Sequence, residues 1–309
     1  MTLVVGFMPL LDCASVVVAA ERGFAAEEGL DLRLVRETSW ANIRDRLIVG
    51  HFDAAHMLAP MTIASTLGIG HIKCPFIAPM ALGLGGNAIT VSRSLSEQIA
   101  DLKRVVKTRP EPLTFGIVYP FSCHNYEIRH WLFKAGIDPD RDVRLVVIPP
   151  PFLVDALRTG QIDGFCAGEP WNSVAVDANV GVIAAPTTEF WPQSPEKVLG
   201  CRAEWAAQHP DELDKLIRAI YRAAMWLDDP ENHAEVARLL AQPNYVGTSA
   251  SVLLRGLESK RFRETFPHVD HAIWIYEQMV RWRQIEALPE YAEAARATYR
   301  PDIYERATQ

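Results

Sequence analysis

The stretch Gly160–Pro170, GQIDGFCAGEP, matches Gly50–Pro60, GHFDAAHMLAP, without a gap at a shift of 110 residues. Gly160 falls on Gly50, Asp163 on Asp53 and Pro170 on Pro60. The same shift lays Gly116 on Gly6, Cys123 on Cys13 and Leu157 on Leu47, and RDVRLV (Arg141–Val146) meets LDLRLV (Leu30–Val35) within one residue. Glycine and aspartate recur at helix ends in any α/β chain, so a single match means little. Several at one shift imply two lobes of like topology, without requiring common ancestry.

The surrounding pattern sets the class. LVVGFM, SVVVAAERGFAAEEG and LDLRLV alternate strand-like and helical runs, as βα units on a largely parallel sheet do, so the class is α/β. In such lobes ligands sit beyond the carboxyl ends of the strands, in the crevice between them. IDGFCAG then reads as a second-lobe strand that delivers Gly168 and Glu169 into that crevice. Its first-lobe equivalent ends in Leu58 and Ala59, so the cleft is asymmetric in charge, as a site for a small polar ligand would be.

Two segments read as crossings between lobes: ALGLGGNAITVS (Ala81–Ser92), with Gly83, Gly85 and Gly86, and the proline-bearing APTTEFWPQSPEKVLG (Ala185–Gly200). The expected division is residues 1–85 plus 187–309 for lobe one and 86–186 for lobe two. From Pro210 onward the pattern is helical, PDELDKLIRAIYRAAMWLDDP opening with proline and acids and closing before Pro230. This tail is expected to pack on lobe one.

Composition narrows the function. With 49% hydrophobic and 22% charged residues over 309, the chain is an ordinary globular sequence, and its longest apolar runs fall short of the roughly 20 residues a membrane span needs. No membrane association is expected. A net charge of -7 gives no global attraction to nucleic acid, so any anion must be held locally. Five cysteines without C-x-x-C spacing suit a reducing compartment, and Met1 running directly into TLVVGF shows no leader pattern; a cytoplasmic location is the expectation.

Several residues could carry chemistry. In YPFSCHNYEIRHWLFKAG a strand gives way to a helix near Ser122–Asn125, and His124 at that N-terminus either joins an anion site or fills the turn. Cys123 and Cys13 read as small packing residues. Lys197 in PEKVLG, beside the second crossing, is a cleft lysine or a solvated one. Trp40 in TSWANIRDRL follows a possible Ser39 or Thr38 cap and serves either the core or the site. Asn87 shapes its turn or offers its amide NH2. HVDH (His268–His271) reads as a solvated loop. H-E-x-x-H, G-x-S-x-G, P-loop and EF-hand patterns are absent, so no metal, cofactor, covalent or redox chemistry is expected.

Taken in order, SWANIRDRL, FDAAHMLAPM, NAITVS, VIPPP, GFCAGEPWN and EKVLG closely resemble the nitrate and bicarbonate substrate-binding family of ABC importers, over most of Val4–Gly200. The short chain looks like that family's cytoplasmic nitrate/nitrite sensor branch (NasS-type). The resemblance implies a two-lobed type II periplasmic-binding-protein-like fold with a helical C-terminal region. It further implies a sensor that binds nitrate or nitrite and releases an RNA-binding antiterminator of the ANTAR class (NasT-type), without touching nucleic acid itself and without catalysis. Carried over by motif, the ligand site comprises Trp40, Asn87, His124, Gly168, Glu169 and Lys197. Asn87 stands where the importers carry Gln, and the stretch around His124 departs from their glycine-rich version. Glu169 beside an anion requires either Lys197 to neutralise it or its own backbone N–H to make the contact. The competing readings are an importer's substrate-binding component and a pyrimidine-precursor synthase-like enzyme on the same fold.

Overall fold

The computed structural model describes residues 1–258 and 260–309. Its strands are β1 (Thr2–Phe7), β2 (Asp31–Arg36), β3 (Ala54–Leu58), β4 (Phe76–Leu84), β5 (Asn87–Ser92), β6 (Thr114–Ile117), β7 (Arg144–Val147), β8 (Gly164–Gly168), β9 (Gly181–Pro186) and β10 (Pro195–Arg202). They form two five-stranded sheets, in the orders β2-β1-β3-β10-β4 and β7-β6-β8-β5-β9. The orders are equivalent. In each sheet the fourth position holds an antiparallel strand that the chain enters from the other sheet: β10 pairs antiparallel with β3 and β4, and β5 with β8 and β9. The chain leaves the first sheet after Leu84 through Gly85 and Gly86, and returns to it between Pro186 and Pro195.

The 110-residue shift is kept in atomic detail. Val5 and Gly6 of β1 pair with Ala54 and Ala55, while Phe115 and Gly116 of β6 pair with Gly164 and Phe165. The Val4 N–H donates to Asp53 Oδ2 at 2.8 Å, and the Thr114 N–H donates to Asp163 Oδ2 at 2.8 Å. Each aspartate therefore ties the turn before one strand to the start of its neighbour. Gly6 is glycine for space, since a Cβ there would lie 2.3 Å from the Phe52 ring.

The α/β class and the two-lobed periplasmic-binding-protein architecture hold. Residues of β3 are buried throughout, as expected of a strand covered on both faces. The helix Pro210–Leu227 presents Leu213, Leu216, Ile217, Ile220 and Ala224 on one face, in one core with Val16–Ala19 of the helix Ala14–Glu21. The tail also reaches the second lobe: Tyr126 Oη donates to Gln284 Oε1 at 2.8 Å, and Arg255 pairs with Asp177 at 2.7 Å. HVDH does not remain a solvated loop. His268 precedes the helix Val269–Arg281, and His271 lies half-buried in its first turn, its pKa pushed down to about 4 by burial and by His268. Among the described residues, no helix is long and apolar enough to cross a membrane.

The lobes are closed on each other. The Leu11 N–H donates to the Glu169 carbonyl at 2.8 Å, and the Trp171 indole N–H donates to the Pro9 carbonyl at 3.1 Å. The apolar and acidic mixture in GEPW thus has a structural role: its backbone and indole clamp the first βα turn of the opposite lobe.

Candidate functional site

Several chain segments bring polar side chains into the closed crevice. The turn after β1 carries Asp12, in the 3-10 stretch Leu11–Cys13. The helix Trp40–Ile48 starts behind a Ser39 side chain that accepts the Asn42 N–H at 3.2 Å, which fixes Trp40 as its first residue. The helix Cys123–Lys134 starts behind Ser122, whose side chain accepts the Asn125 N–H at 3.2 Å, and this places His124 in the first turn. Trp40 and His124 are both buried. Neither ring nitrogen of His124, nor the Trp40 indole nitrogen, has a hydrogen-bond partner among the described residues. Trp40 also packs in the core, its ring edge-on to His56 at 5.4 Å, so both readings of it apply.

Lys197 lies at the centre, 1% exposed. Its Nζ is 3.1 Å from Asp12 Oδ2, 3.3 Å from Glu196 Oε2 and 6.0 Å from the centroid of the Trp40 ring. Burial works against its charge, but Asp12 and Glu196 outweigh burial and raise its pKa above the usual lysine value. Burial likewise opposes charge on Asp12, yet Lys197, His56 and Lys260 hold it well below the carboxylate range. Burial pulls His56 down in spite of Asp12. The Met8 N–H, 3.4 Å from His56 Nδ1, leaves the ring proton on Nε2, which lies 3.0 Å from Asp12 Oδ1. His124 is pushed well below its usual value by burial and by Lys197, so its ring is neutral, with one N–H to give.

Adjacent residues of a regular strand point to opposite faces, yet Glu196 and Lys197 both enter this cluster. The reason is an irregularity in β10, whose pairing with β4 shifts register on both sides of Lys197.

Behind Lys197 runs a second buried network. Asn87 Nδ2 donates to Glu127 Oε2 at 2.7 Å. That bond uses one of the two N–H donors of the Asn87 amide. Ser194 Oγ lies 2.8 Å from Glu127 Oε1 and 2.9 Å from Glu196 Oε1. A hydroxyl has one proton to donate, so one contact must be filled by a carboxyl proton. Burial and the neighbouring Glu196 raise Glu127 well above the carboxylate range, which places that proton on Glu127. Cys123 and Cys166 are buried, their thiols pushed well up by burial and by nearby carboxyl groups, which suits packing and not nucleophilic chemistry.

Gly168 ends β8 facing the cluster, and a Cβ there would stand 3.3 Å from Asn87 Oδ1 and 3.8 Å from Asp12 Oδ2. Glu169 does not meet Lys197. Its Oε2 accepts the Ser173 N–H at 3.2 Å, at the start of the helix Trp171–Asp177, while its carbonyl joins the interlobe clamp. Burial raises its pKa, and the nearby cations acting on it are Lys260 and Arg255. Five of the six expected residues thus bring a side chain or, for Gly168, a backbone edge to one buried cluster; the Glu169 carboxylate lies at its rim. Asp12, His56, Glu127, Ser194, Glu196 and Lys260 were not anticipated. Asp12 had a signal, a lone acid inside the apolar run PLLDCASVVV, which demands a buried partner.

Residues 1–241 match the model of the NMT1-like family. The chain belongs to that family. Among its relatives, the nitrate/nitrite binding protein NrtA of Synechococcus elongatus is 34% identical, covering 98% of this chain and 76% of its own length. The nitrate import ATP-binding protein NrtC of Synechocystis is 37% identical over 97% of this chain, but that match covers 48% of NrtC. The chain spans about half the length of the ATP-binding relatives it matches. The crystal structure of the periplasmic nitrate-binding protein NrtA from Synechocystis superposes with a TM-score of 0.95 at 26% identity, covering 100% of this chain and 88% of that one. The relatives whose own length the match largely covers are named as binding proteins, for nitrate and nitrite at 76% and for bicarbonate at 78%.

Proposed function

We propose that the protein is a nitrate/nitrite sensor that captures the anion between its lobes. The observation that carries the reading is the set of buried donors without a partner among the described residues, Trp40 Nε1–H and the His124 ring, beside the Lys197 ammonium. Buried polar groups are almost always hydrogen-bonded, so these donors are built for a bound molecule. Nitrate and nitrite are acceptor-only anions and match the Trp40 indole N–H, the single N–H of the neutral His124 ring and the Lys197 ammonium, helped by the positive end of the helix Cys123–Lys134. Charge-assisted hydrogen bonds contribute about 1.5–3 kcal/mol each, so three or four, less ordering costs, reach the roughly 8 kcal/mol of micromolar binding. Relatives named for nitrate binding support the same ligand.

The regulatory half of the proposal rests on the resemblance to the sensor branch. The anion favours the closed lobes, the ANTAR-class antiterminator favours the open ones, and by reciprocity each weakens binding of the other. A full switch needs a differential of about 5.5 kcal/mol, which is available when most anion contacts exist in the closed form alone. A cytoplasmic location belongs to this proposal. The second reading, a receptor for an importer, is favoured by relatives named as import components. Titrating nitrate, nitrite and bicarbonate into the purified protein, and then nitrate into a preformed complex with the antiterminator, tests both halves. Nitrate or nitrite binding with release of the partner is expected. Binding with an intact complex, or no complex at all, leaves the receptor reading.

A further inference from the structure

A second ammonium stands at the mouth of this crevice, on a tail segment outside every motif that carries the family resemblance. Lys260 follows the helix Ala250–Glu258, and its side chain is 10% exposed. Its Nζ lies 3.9 Å from Asp12 Oδ2, the same oxygen that Lys197 approaches at 3.1 Å. The crossing strand leaves room for it. A Cβ on Gly83 would stand 3.1 Å from the Lys260 Nζ and 3.5 Å from Asp12 Cβ, and one on Gly86 would stand 3.6 Å from the same Nζ. Gly86 has φ +86°, so its turn favours glycine in any case. Gly83 has no positive φ and lies inside β4, where glycine weakens a strand. The lysine that occupies the space accounts for it. Lys260 also faces a space of about 200 Å³ lined from the other lobe by Glu169 and, besides Gly86 and Gln193, by the charged Arg261 and Glu264.

Two ammoniums held this close to one carboxylate oxygen repel each other, and burying both has a cost that packing alone does not repay. Lys197 by itself faces two acidic side chains, Asp12 and Glu196. A pocket with only that lysine would repel an anion. We infer that Lys260 is a residue of the anion site, a tail-borne cation that closes the mouth of the cleft and supplies the positive charge that Asp12 and Glu196 take from Lys197. This inference rests on the oxyanion reading of the same site. It makes the C-terminal tail part of the binding machinery, because Lys260 touches Asp12 from the first lobe and shares its cleft with Glu169 of the second.

The test is calorimetric titration of nitrate into the full chain carrying Lys260→Gln or Lys260→Arg, beside wild type, at low and high chloride, with the ligand-free thermal midpoint of each. Lys260→Gln is expected to weaken nitrate binding about tenfold or more and to flatten its chloride dependence. Lys260→Arg is expected to stay within about threefold of wild type, since it keeps the charge. The ligand-free midpoint of Lys260→Gln should not fall. Nitrate affinity in Lys260→Gln within about twofold of wild type overturns the inference and leaves the oxyanion reading standing. Equal weakening in both variants together with a lowered ligand-free midpoint assigns Lys260 to packing and also overturns it. Wild type that binds none of nitrate, nitrite and bicarbonate removes the reading and the inference together.

Discussion

The Lys197 ammonium nitrogen lies 3.1 Å from Asp12 Oδ2, with the lysine 1% and the aspartate 4% exposed. Asp12 comes from the first turn of the chain and Lys197 from the strand by which the chain returns to the first sheet. The pair holds the ammonium in place, and it also sets the charge an incoming anion must overcome.

Opposite substitutions in this pair should therefore separate its two effects. Lys197→Ala leaves Glu196 buried without its cation and Asp12 with only the more distant Lys260, which should cost about 3–5 kcal/mol of folding stability, and should remove about 2–5 kcal/mol of anion binding. Asp12→Asn should also lower ligand-free stability, because Lys197 loses a counterion. It should, however, increase the stabilisation that nitrate confers, since two like charges 4 Å apart repel by of order 4 kcal/mol at an effective dielectric of 20. Denaturant unfolding with and without saturating nitrate measures both. An Asp12→Asn protein that gains less from nitrate than wild type would show that Asp12 organises the site and does not oppose the ligand.

The equivalent aspartates of the two lobes give a test of the repeat. Asp53 and Asp163 each accept a backbone N–H of the neighbouring strand at 2.8 Å, from Val4 and Thr114. Hydrogen bonds to charged groups are worth about 1.5–3 kcal/mol, so Asp53→Ala and Asp163→Ala should each destabilise by a similar amount in that range. Asp163 also has Arg109 at 3.6 Å, but that guanidinium is 44% exposed and adds little. Neither variant touches the cluster around Lys197, so nitrate affinity should stay near wild type. Unequal losses of more than about 2 kcal/mol would mean that the two turns do different work.

The lobes were legible in the sequence because the 110-residue shift acts on positions where backbone geometry restricts the residue. Gly50 and Gly160 both take positive φ, at +76° and +72°, and Asp53 and Asp163 make the same bond. The site was legible only in part. His124 and Trp40 could be placed because each follows a capping serine at a helix start, a local signal. Glu196 could not, because alternation along a strand points it away from Lys197, and only the shifted register of β10 brings both to one cluster. Lys260 lies in an irregular stretch after a helix, where no periodicity predicts a direction. Asn87 reads as a donor, but Glu127, which accepts one of its N–H bonds, is 40 residues away on a helix of unexceptional pattern. Long-range pairing of this kind leaves no trace in spacing.

Glu127 carries the last prediction, on pH. Its pKa is raised well above the carboxylate value by burial and by Glu196, which outweigh the hydrogen bonds that Asn87 and Ser194 would give its ionised form. Unfolded, the side chain loses its proton near pH 4.5; folded, it keeps the proton to higher pH. A raised pKa contributes stability that is fully present below 4.5 and is lost as pH rises through the folded value. Glu127→Gln has no proton to lose, so the stability of the variant relative to wild type should increase as pH rises above 4.5. The lowered values of His56 and His124 make stability fall in acid below about 6.5, but they act in both proteins and cancel in the difference. Urea unfolding of both proteins from pH 4.5 to 8 checks it, and a difference that is flat across that interval would place the shared proton of the Glu127–Ser194–Glu196 chain elsewhere.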